Sequence, residues 1–287
     1  MGCRPTGRSR AARLEHATVT SPEPDPGRDS ESEGTLPLGG LTESALPSRD
    51  LPIPTSALAI VAHPDDAEFL CGGTLAKWAV AGCTIHHLIL TDGSKGSWDA
   101  GADTAELIET RRNEQLRAAR VLGSKGKVIM LGRVDGELTA SSDVVDEVAY
   151  WIRVTEPTVV LAHDPWKRYR LHPDHRNAGW IALDSVVAAR DPHFFPEHDV
   201  PHHRPSALLL FEADQPDHVE DITEYTDAKV DALLTHRSQF HTTHGIGDPD
   251  DVEQRERFRE RVTEHAARLG AANGVGGAEI FKLITDL

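Results

Sequence analysis

The stretch Ala57-Leu58-Ala59-Ile60-Val61-Ala62-His63-Pro64-Asp65-Asp66 carries an unbroken apolar run directly into a cluster of ionisable side chains. A short apolar run bounded by turn residues is typical of a strand buried on both faces of a parallel sheet. Pro64 and the two aspartates favour a turn immediately after it. Because open α/β sheets bind ligands at the carboxyl ends of their strands, the pattern predicts a strand over 57–62 that ends at a functional site.

The chain from residue 51 onward alternates short apolar runs with amphipathic stretches. We expect strands at 57–62, 84–90, 128–131, 158–162 and 207–211, and helices at 72–81, 104–122, 142–154, 173–189, 223–240 and 252–269. Strands that alternate with helices indicate βαβ units. The predicted fold is therefore a single α/β domain with a Rossmann-like, mainly parallel sheet flanked by helices.

The first 50 residues differ in composition from the rest. They are rich in Ser, Pro, Gly, Glu and Arg and show no hydrophobic period. Such a segment cannot bury enough apolar surface to offset the entropy lost on ordering. We therefore predict a disordered N-terminal extension over 1–50 and one folded domain over 51–287.

Composition also narrows the partners and the compartment. The formal net charge of −16 argues against binding to nucleic acid or to anionic membranes. The cysteines Cys3, Cys71 and Cys83 do not form a disulfide framework, so a cytoplasmic location is expected. No apolar run approaches the roughly 18 residues of a membrane span, so no membrane insertion is expected. Because no CxxC pair occurs, any metal site has to be built from His, Asp and Glu.

The first ionisable cluster has the spacing of a metal site. If the chain turns sharply after Val61, His63 and Asp66 lie on one side of the turn and can bind one ion. Asp65 then projects between them into the cavity, as a general base would. Histidine nitrogen and aspartate oxygen suit a catalytic zinc, which uses three protein ligands and leaves a position for water. A plain turn with an aspartate helix cap remains the alternative for this cluster alone.

A second cluster, His172-Pro173-Asp174-His175, follows a predicted strand and opens a predicted helix. His175 lies in the first turn and is the candidate third metal ligand. His172, at the cap, would face the same cavity as an oxyanion stabiliser or proton donor. Asp174 can hold one imidazole in its working tautomer. The alternative for this cluster is the start of a capped helix that carries surface histidines. Because that alternative would require two such clusters to occur at strand ends by chance, we favour a metal-dependent hydrolase.

Taken together, these residues resemble the PIG-L (LmbE-like) family of zinc-dependent N-deacetylases. That family includes N-acetylglucosaminyl-phosphatidylinositol deacetylase and the deacetylases of bacterial glucosamine-thiol biosynthesis. The resemblance spans roughly 57–240 and rests on 62–68, 72–76, Thr91-Asp92-Gly93, Arg111-Arg112-Asn113-Glu114, Leu122-Gly123, Asp135-Gly136 and 172–175. It implies a Rossmann-like architecture, which agrees with the order of strands and helices read from the sequence.

The resemblance also implies a role for each site residue. It makes His63, Asp66 and His175 the zinc ligands, Asp65 the base, and His172 the group that steadies the tetrahedral intermediate. Arg111 would contact sugar hydroxyls, although an arginine on a polar helix face is often simply solvated. The implied substrate is a small N-acetylated sugar conjugate, such as an N-acetylglucosaminyl compound, which loses its acetyl group.

The sequence leaves the substrate and several other residues open. Some thiol-pathway members have Glu directly after the second Asp, whereas here Ala67 intervenes and the acid is Glu68, a residue able to orient a ligand. Four residues are equally compatible with a cleft and a structural role, namely Asp92, His163, Trp98 and Trp166. Residues 236–239 resemble a family segment near the active-site rim.

Three other functions compete with deacetylation. An amidase acting on a non-sugar amide would use the same residues. A non-catalytic sugar- or nucleotide-binding module of the same fold would need no base, so Asp65 argues against it. A Rossmann oxidoreductase is disfavoured because the glycine fingerprint is absent. Iron can occupy the same ligand set as zinc, and the oligomeric state stays open, a homo-oligomer included.

Overall fold

An eight-stranded sheet is the centre of the computed structural model, which describes residues 48–287. Residues 1–47, most of the predicted extension, lie outside the described residues. The strands are β1 Ser48–Arg49, β2 Ser56–Val61, β3 Thr84–Thr91, β4 Val128–Arg133, β5 Val159–His163, β6 Ala207–Phe211, β7 His218–Asp221 and β8 Ala278–Ile284. Their order across the sheet is β1-β7-β8-β6-β5-β2-β3-β4. Only β8, among these strands, runs antiparallel to its neighbours.

Helices cover both faces of this sheet. They are α1 Asp66–Val80, α2 Thr104–Val121, α3 Ser142–Thr155, α4 Pro173–Arg190, α5 Thr226–Leu233 and α6 Val252–Asn273. One core layer contains side chains of α1, α2 and α5, and the other contains side chains of α3 and α4. The predicted α/β class and the mainly parallel sheet are therefore confirmed. None of the helices within 48–287 has the length and apolarity needed to cross a bilayer.

Strand β2 is apolar throughout because it supplies both core layers. Successive side chains of a strand point to opposite faces, and β2 lies between β3 and β5 near the middle of the sheet. Its alternate residues accordingly enter opposite layers, Ala57, Ala59 and Val61 on one face and Leu58 and Ile60, followed by Ala62, on the other.

Helix α1 begins at Asp66, earlier than the predicted start at Gly72, and its backbone departs from helical geometry at Cys71, with φ −147°. The predicted helix from Gly72 is therefore the part of α1 that follows this kink, and the sequence prediction missed the part that precedes it. The two glycines also permit close packing. A Cβ atom on Gly73 would stand 2.6 Å from Cδ1 of Ile222, which lies just after β7.

The C-terminal part departs most from the sequence prediction. The helix predicted over 223–240 is wrong in extent, because α5 ends at Leu233 and is followed by a 3₁₀ turn, Arg237–Gln239, and a π-helical turn, Phe240–His244. Nε2 of His244 lies 3.0 Å from the carbonyl oxygen of Leu233 and so meets the end of α5. Strands β1, β7 and β8 were not predicted.

Strand β1 lies just before the predicted start of the domain at residue 51. Ser48 and Arg49 pair in parallel with β7. Asp50 adds an ion pair of 2.5 Å to Lys77 of α1. All described residues belong to one compact unit, and the carboxyl ends of β2 and β5, which are neighbours, bring 62–66 and 163–175 together.

Candidate active site

The turn after β2 requires an uncommon backbone conformation at Asp65. Its φ is 93°, in the left-handed region that residues other than glycine rarely adopt. Two hydrogen bonds hold the turn: the N–H of Asp65 donates to Oε1 of Gln115 at 2.9 Å, and the N–H of His63 donates to Oδ2 of Asp66 at 2.8 Å. Strain of this kind persists where the surrounding structure imposes it, commonly at functional sites.

The three predicted ligands converge at this turn. Nδ1 of His63 lies 3.2 Å from Nε2 of His175 and 3.4 Å from Oδ2 of Asp66. Nε2 of His175 lies 3.3 Å from Oδ1 of Asp66. Ligand atoms of a tetrahedral zinc site with bonds of about 2.1 Å lie about 3.4 Å apart. Asp66 meets the two histidines with different oxygens, and the three side chains surround one region. The groups there that could hold an ion are His63, His172 and His175; Asp66, His163 and His175; and His63, Asp135 and Asp174.

The charge around His63 fits the same conclusion. Its Nε2 lies 3.2 Å from Oδ1 of Asp135 and 3.1 Å from Oδ2 of Asp174. Burial lowers the pKa of His63, but Asp135, Asp174 and Asp66 outweigh it and raise that pKa to about 12. The cluster thus has an excess of negative charge that favours a cation. A carboxylate on the far ring nitrogen is also the usual support of a metal-binding histidine.

Asp174 and Asp135 are themselves held in place. Asp174 accepts the N–H of Gly136 at 2.6 Å and that of Leu138 at 3.2 Å. The backbone N–H of Asp135 donates to Oδ1 of Asp92 at 3.1 Å. Asp174 is therefore positioned to fix the tautomer of His63, and Asp92 is a turn residue that also positions Asp135.

His163 completes the surroundings of Asp66. It is fully buried at the end of β5, its Nε2 lies 3.3 Å from Oδ2 of Asp66, and its ring stacks on His175 at 4.4 Å. Burial raises the pKa of Asp66, but His175, His163 and His63 outweigh burial and hold it well below its ordinary value. Asp66 is therefore ionised, as a metal ligand has to be.

Asp65 differs from Asp66 in direction and in environment. Its carboxylate lines the cavity beside the cluster, and its buried Oδ2 has no hydrogen-bond partner among the described residues. Burial raises the pKa of Asp65 to about 6, even though Arg111 and His236 act in the opposite direction. A buried carboxyl whose pKa lies near the working pH is what general base catalysis requires.

Arg111 is buried and not solvated on a helix face. Its Nη1 donates to the carbonyl oxygen of Gly93 at 3.0 Å and its Nη2 to that of Pro64 at 2.7 Å. The guanidinium also lies 3.6 Å from the carboxylate of Asp65 and 3.9 Å from that of Asp135. Arg111 therefore ties together the turns after β2 and β3; its contact with sugar hydroxyls stays a prediction.

His172 is the N-cap of α4. Its Nδ1 accepts the N–H of Asp174 at 3.3 Å, and its ring centroid lies 4.6 Å from that of His63 and 4.8 Å from that of His175. Because Nδ1 serves the cap, Nε2 is the ring atom available to a substrate. The residue lines the cavity, as expected of an oxyanion donor.

The cavity over these residues has a volume of about 630 Å³. Lys95, Asp135 and Gly136 line it on the β3–β4 side, and Phe69 and Leu70, together with Glu212, line it towards α1 and β6. Trp98 lies at its rim with 72% of its surface exposed. Trp166 does not line the cavity and packs against Trp180 at 5.1 Å.

Sequence reasoning missed several residues of the site. Gln115 and Glu212 were not singled out, because a glutamine in a helix and a glutamate after a strand are ordinary surface residues. Glu68 was expected to orient a metal ligand; instead it accepts a hydrogen bond of 2.8 Å from Nε2 of Gln115, since it points into the core. Asp135 is part of the family resemblance, but the sequence analysis gave it no role in the site.

Comparison with known proteins bears on this geometry. Residues 58–186 match the sequence profile of the PIG-L family, described as GlcNAc-PI de-N-acetylase. The chain is also 36% identical over 198 residues to diacetylchitobiose deacetylase of Thermococcus kodakarensis, which covers 68% of this chain and 71% of that protein. The chain belongs to the PIG-L family.

Two further PIG-L relatives differ in their named activities. The solved structure of N,N'-diacetylchitobiose deacetylase from Pyrococcus horikoshii, complexed with its inhibitor MPG, has a TM-score of 0.72 and 31% identity, covering 81% of this chain and 84% of that one. The 4-oxalmesaconate hydratase of Pseudomonas putida is 29% identical over 198 residues, covering 65% and 74% respectively. The family therefore contains both amino-sugar deacetylases and hydratases.

The PIG-L match includes one part of the site and excludes another. All of the candidate ligands, the candidate base and Arg111 lie within 58–186. Glu212, Gln239, Thr242 and Thr243 also line the cavity but lie beyond the match. The candidate ligands, the candidate base and Arg111 therefore lie in the region that the family profile covers, and the far wall of the cavity lies C-terminal to that region.

Proposed function

We propose that this PIG-L protein is a zinc-dependent deacetylase that hydrolyses the N-acetyl amide of an amino sugar or its conjugate. The observation that carries the proposal is the convergence of His63, Asp66 and His175 within 3.2–3.4 Å, beside the buried carboxylate of Asp65, whose Oδ2 accepts no hydrogen bond from the described residues. The names of the diacetylchitobiose deacetylases support the choice of substrate class.

The chain's own residues divide the work of hydrolysis. Zinc, when bound, polarises the amide carbonyl and makes water more acidic. Asp65 takes a proton from the attacking water while the oxygen bonds to the acyl carbon. The C–N bond then breaks, Asp65 returns the proton to the amine nitrogen, and acetate leaves. His172 donates from Nε2 to the negative oxygen that develops in the tetrahedral intermediate.

The remaining cavity residues support a sugar as the group that carries the amide. Lys95 and Asp135 offer a donor and an acceptor on one side of the cluster, where neighbouring sugar hydroxyls can exchange hydrogen bonds with both. Trp98 at the rim has an exposed ring face suited to stacking on a pyranose. These contacts would separate an amino sugar from a simple amide.

Hydration of a carbon–carbon double bond is the second candidate, since a hydratase is 29% identical to this chain. Both reactions need an activated water and a positioned proton. The carboxylates of Asp65, Asp66, Asp135 and Glu212 line the cavity and outnumber its two cations, Lys95 and Arg111. Because Arg111 already donates to two carbonyl oxygens, the lining disfavours an anionic substrate. We therefore rank the hydratase second.

The test is a substrate screen with zinc-loaded protein and with Asp65→Asn as the matched inactive control. N-acetylglucosamine, N,N'-diacetylchitobiose and a non-sugar N-acetyl amide are incubated, and free amine and acetate are measured together. We expect equal amounts of amine and acetate from the sugars alone, and none with Asp65→Asn. Faster cleavage of the non-sugar amide would indicate the amidase. Loss of a double-bond absorbance from an unsaturated acid without acetate release would indicate the hydratase.

A further inference from the structure

A second cavity lies beside the candidate active site. Its volume is about 540 Å³. It shares four wall residues with the first cavity, Phe69, Leu70, Glu212 and Thr243. The two cavities are therefore adjacent, so a group attached to a substrate in the first cavity can reach the second.

Helix α6 turns an apolar face into this second cavity. Phe258, Val262, Ala266 and Leu269 recur at intervals of three or four residues and line it together, as side chains on one face of a helix do. Ala278 and Ile280 of β8 line the opposite side. The wall is thus largely aliphatic and aromatic.

The buried charges of this cavity are already matched within the protein. Nζ of Lys229 lies 2.6 Å from Oε1 of Glu279. Oε2 of Glu279 accepts from the backbone N–H and the hydroxyl of Thr74 at 2.8 and 2.6 Å. Because Lys229 and Glu279 need no further partner, an apolar ligand leaves neither of them unsatisfied. The basic side chains of Lys167 and Arg261 also line the cavity and donate to the carbonyl oxygens of Ala213 and His244, and exposed His265 lies beside them.

The first cavity lies over the proposed ligand cluster, whereas the second cavity lies to one side of it and contains none of the ligands in its lining. Lys95, Asp135 and Gly136 line the first cavity where β3 and β4 end. Glu212 follows β6, and its Oε2 lies 2.5 Å from Nη1 of Arg170 at the boundary that the cavities share. A substrate with its hydroxyls on the β4 side therefore directs any apolar substituent towards β6 and β8.

We propose that the second cavity is a subsite for an apolar substituent of the substrate, so that the amino sugar carries a hydrocarbon group several carbons long. The proposal rests on the deacetylase function proposed above. Two kinds of substrate would place a hydrocarbon near the amide. One has an acyl chain longer than acetyl on the nitrogen, and the other has an apolar group on the anomeric oxygen.

Two substrate series distinguish these sources. One carries acetyl, butanoyl, hexanoyl and octanoyl groups on glucosamine nitrogen; the other carries methyl, butyl and octyl groups on the anomeric oxygen of N-acetylglucosamine. Full burial of a methylene favours binding by up to about fourfold, so we expect kcat/KM to rise by up to that factor per carbon in one series. A flat response in both series, with the acetyl compound hydrolysed, overturns the subsite and leaves the deacetylase standing.

Variants of α6 test the location of the subsite. Leu269→Trp should fill the cavity, so that kcat/KM for the longest compound of the series falls to the value for the shortest. Arg268→Trp, at the neighbouring exposed position outside the cavity, should keep the chain-length gain. Equal gains in both variants overturn the location. Thermal unfolding of each variant, and Leu269→Ala as a second probe that widens the cavity, show whether a lost gain reflects misfolding.

Equilibrium binding separates the subsite from the chemistry. Zinc-loaded Asp65→Asn protein is titrated with octanoyl-glucosamine, octyl N-acetylglucosaminide and N-acetylglucosamine. We expect one octyl compound to bind at least tenfold more tightly than N-acetylglucosamine, and Leu269→Trp to remove the difference. That preference without any turnover in the wild type would refute the deacetylase but keep the subsite, whereas equal affinities would refute the subsite.

Discussion

The backbone N–H of Asp65 donates a hydrogen bond of 2.9 Å to Oε1 of Gln115, a side chain of α2. The other end of the same amide donates from Nε2 to Oε1 of Glu68 at 2.8 Å. Glu68 fixes which way the amide of Gln115 faces, and Gln115 in turn holds the strained residue at the turn. The direction of the candidate base thus depends on a helix that supplies none of the proposed metal ligands.

Replacing Gln115 with Met should lower kcat by about tenfold or more while zinc content stays unchanged. The methionine keeps the length of the side chain but leaves the N–H of Asp65 without a partner, at a cost of about 1–3 kcal/mol. Steady-state kinetics and metal analysis measure the two effects. Arg117→Met, at an exposed position of the same helix, is the control. Equal losses in both variants would refute the positioning role.

The adjacent aspartates should separate base from ligand. Asp65→Asn is expected to keep zinc and to lose about 10²–10⁴-fold in turnover, the usual contribution of general base catalysis. Asp66→Asn should instead weaken zinc binding, because an amide is a poorer ligand than a carboxylate. Zinc titration and single-turnover rates check both. Loss of zinc in Asp65→Asn, with metal and rate intact in Asp66→Asn, would reverse the assignment.

The pH dependence of kcat/KM should report Asp65. Burial raises its pKa to about 6, and a base acts only when ionised, so the rate should rise with pH through about 6. Arg111 lowers this pKa, so Arg111→Met should move the acidic limb to higher pH. Arg112→Met removes a neighbouring exposed cation and should leave the limb in place. An acidic limb that does not shift in Arg111→Met would belong to a group other than Asp65.

His172→Ala should keep zinc and lower kcat by on the order of 10²–10³, as loss of one oxyanion donor does. KM should change little, since the donor acts on charge that develops only in the transition state. Kinetics on the best substrate of the screen measure this split, with His202→Ala, an exposed position outside the cavity lining, as control. A raised KM with an unaltered kcat would make His172 a binding residue.

Stability should fall in mild acid because of His86. Its Nδ1 accepts the N–H of Lys127 at 3.0 Å, and burial, with His87 and Lys127, lowers its pKa to about 4 from 6.5. The unfolded chain therefore binds more protons, and stability declines as pH falls from 6.5 towards 4. Burial lowers the pKa of His163 and of His244 to about 4 as well, so His86→Asn, which retains an acceptor, should reduce the fall of the melting temperature over that range without abolishing it. Exposed His202→Asn should leave the fall unchanged.

The sequence predicted the parts of the molecule whose patterns are local. The apolar run forms β2 and the cluster 172–175 forms the start of α4, so spacing alone indicated the place of each. Strand β7 was missed because His218 and Glu220 look solvated in the sequence. In the fold they are buried and lie 3.0 Å from each other. Polar pairs between distant elements, such as Gln115 with Asp65, have no periodicity from which to be predicted.

The antiparallel strand β8 has a consequence for the order in which the protein is made. Although it is the last strand of the described chain, it lies between β6 and β7 inside the sheet. Until residues 278–284 have left the ribosome, β6 lacks one neighbour and the β1–β7 pair is not joined to the other strands. The apolar edge of β6 therefore stays open until residues 278–284 have been made, and the sheet is completed only then.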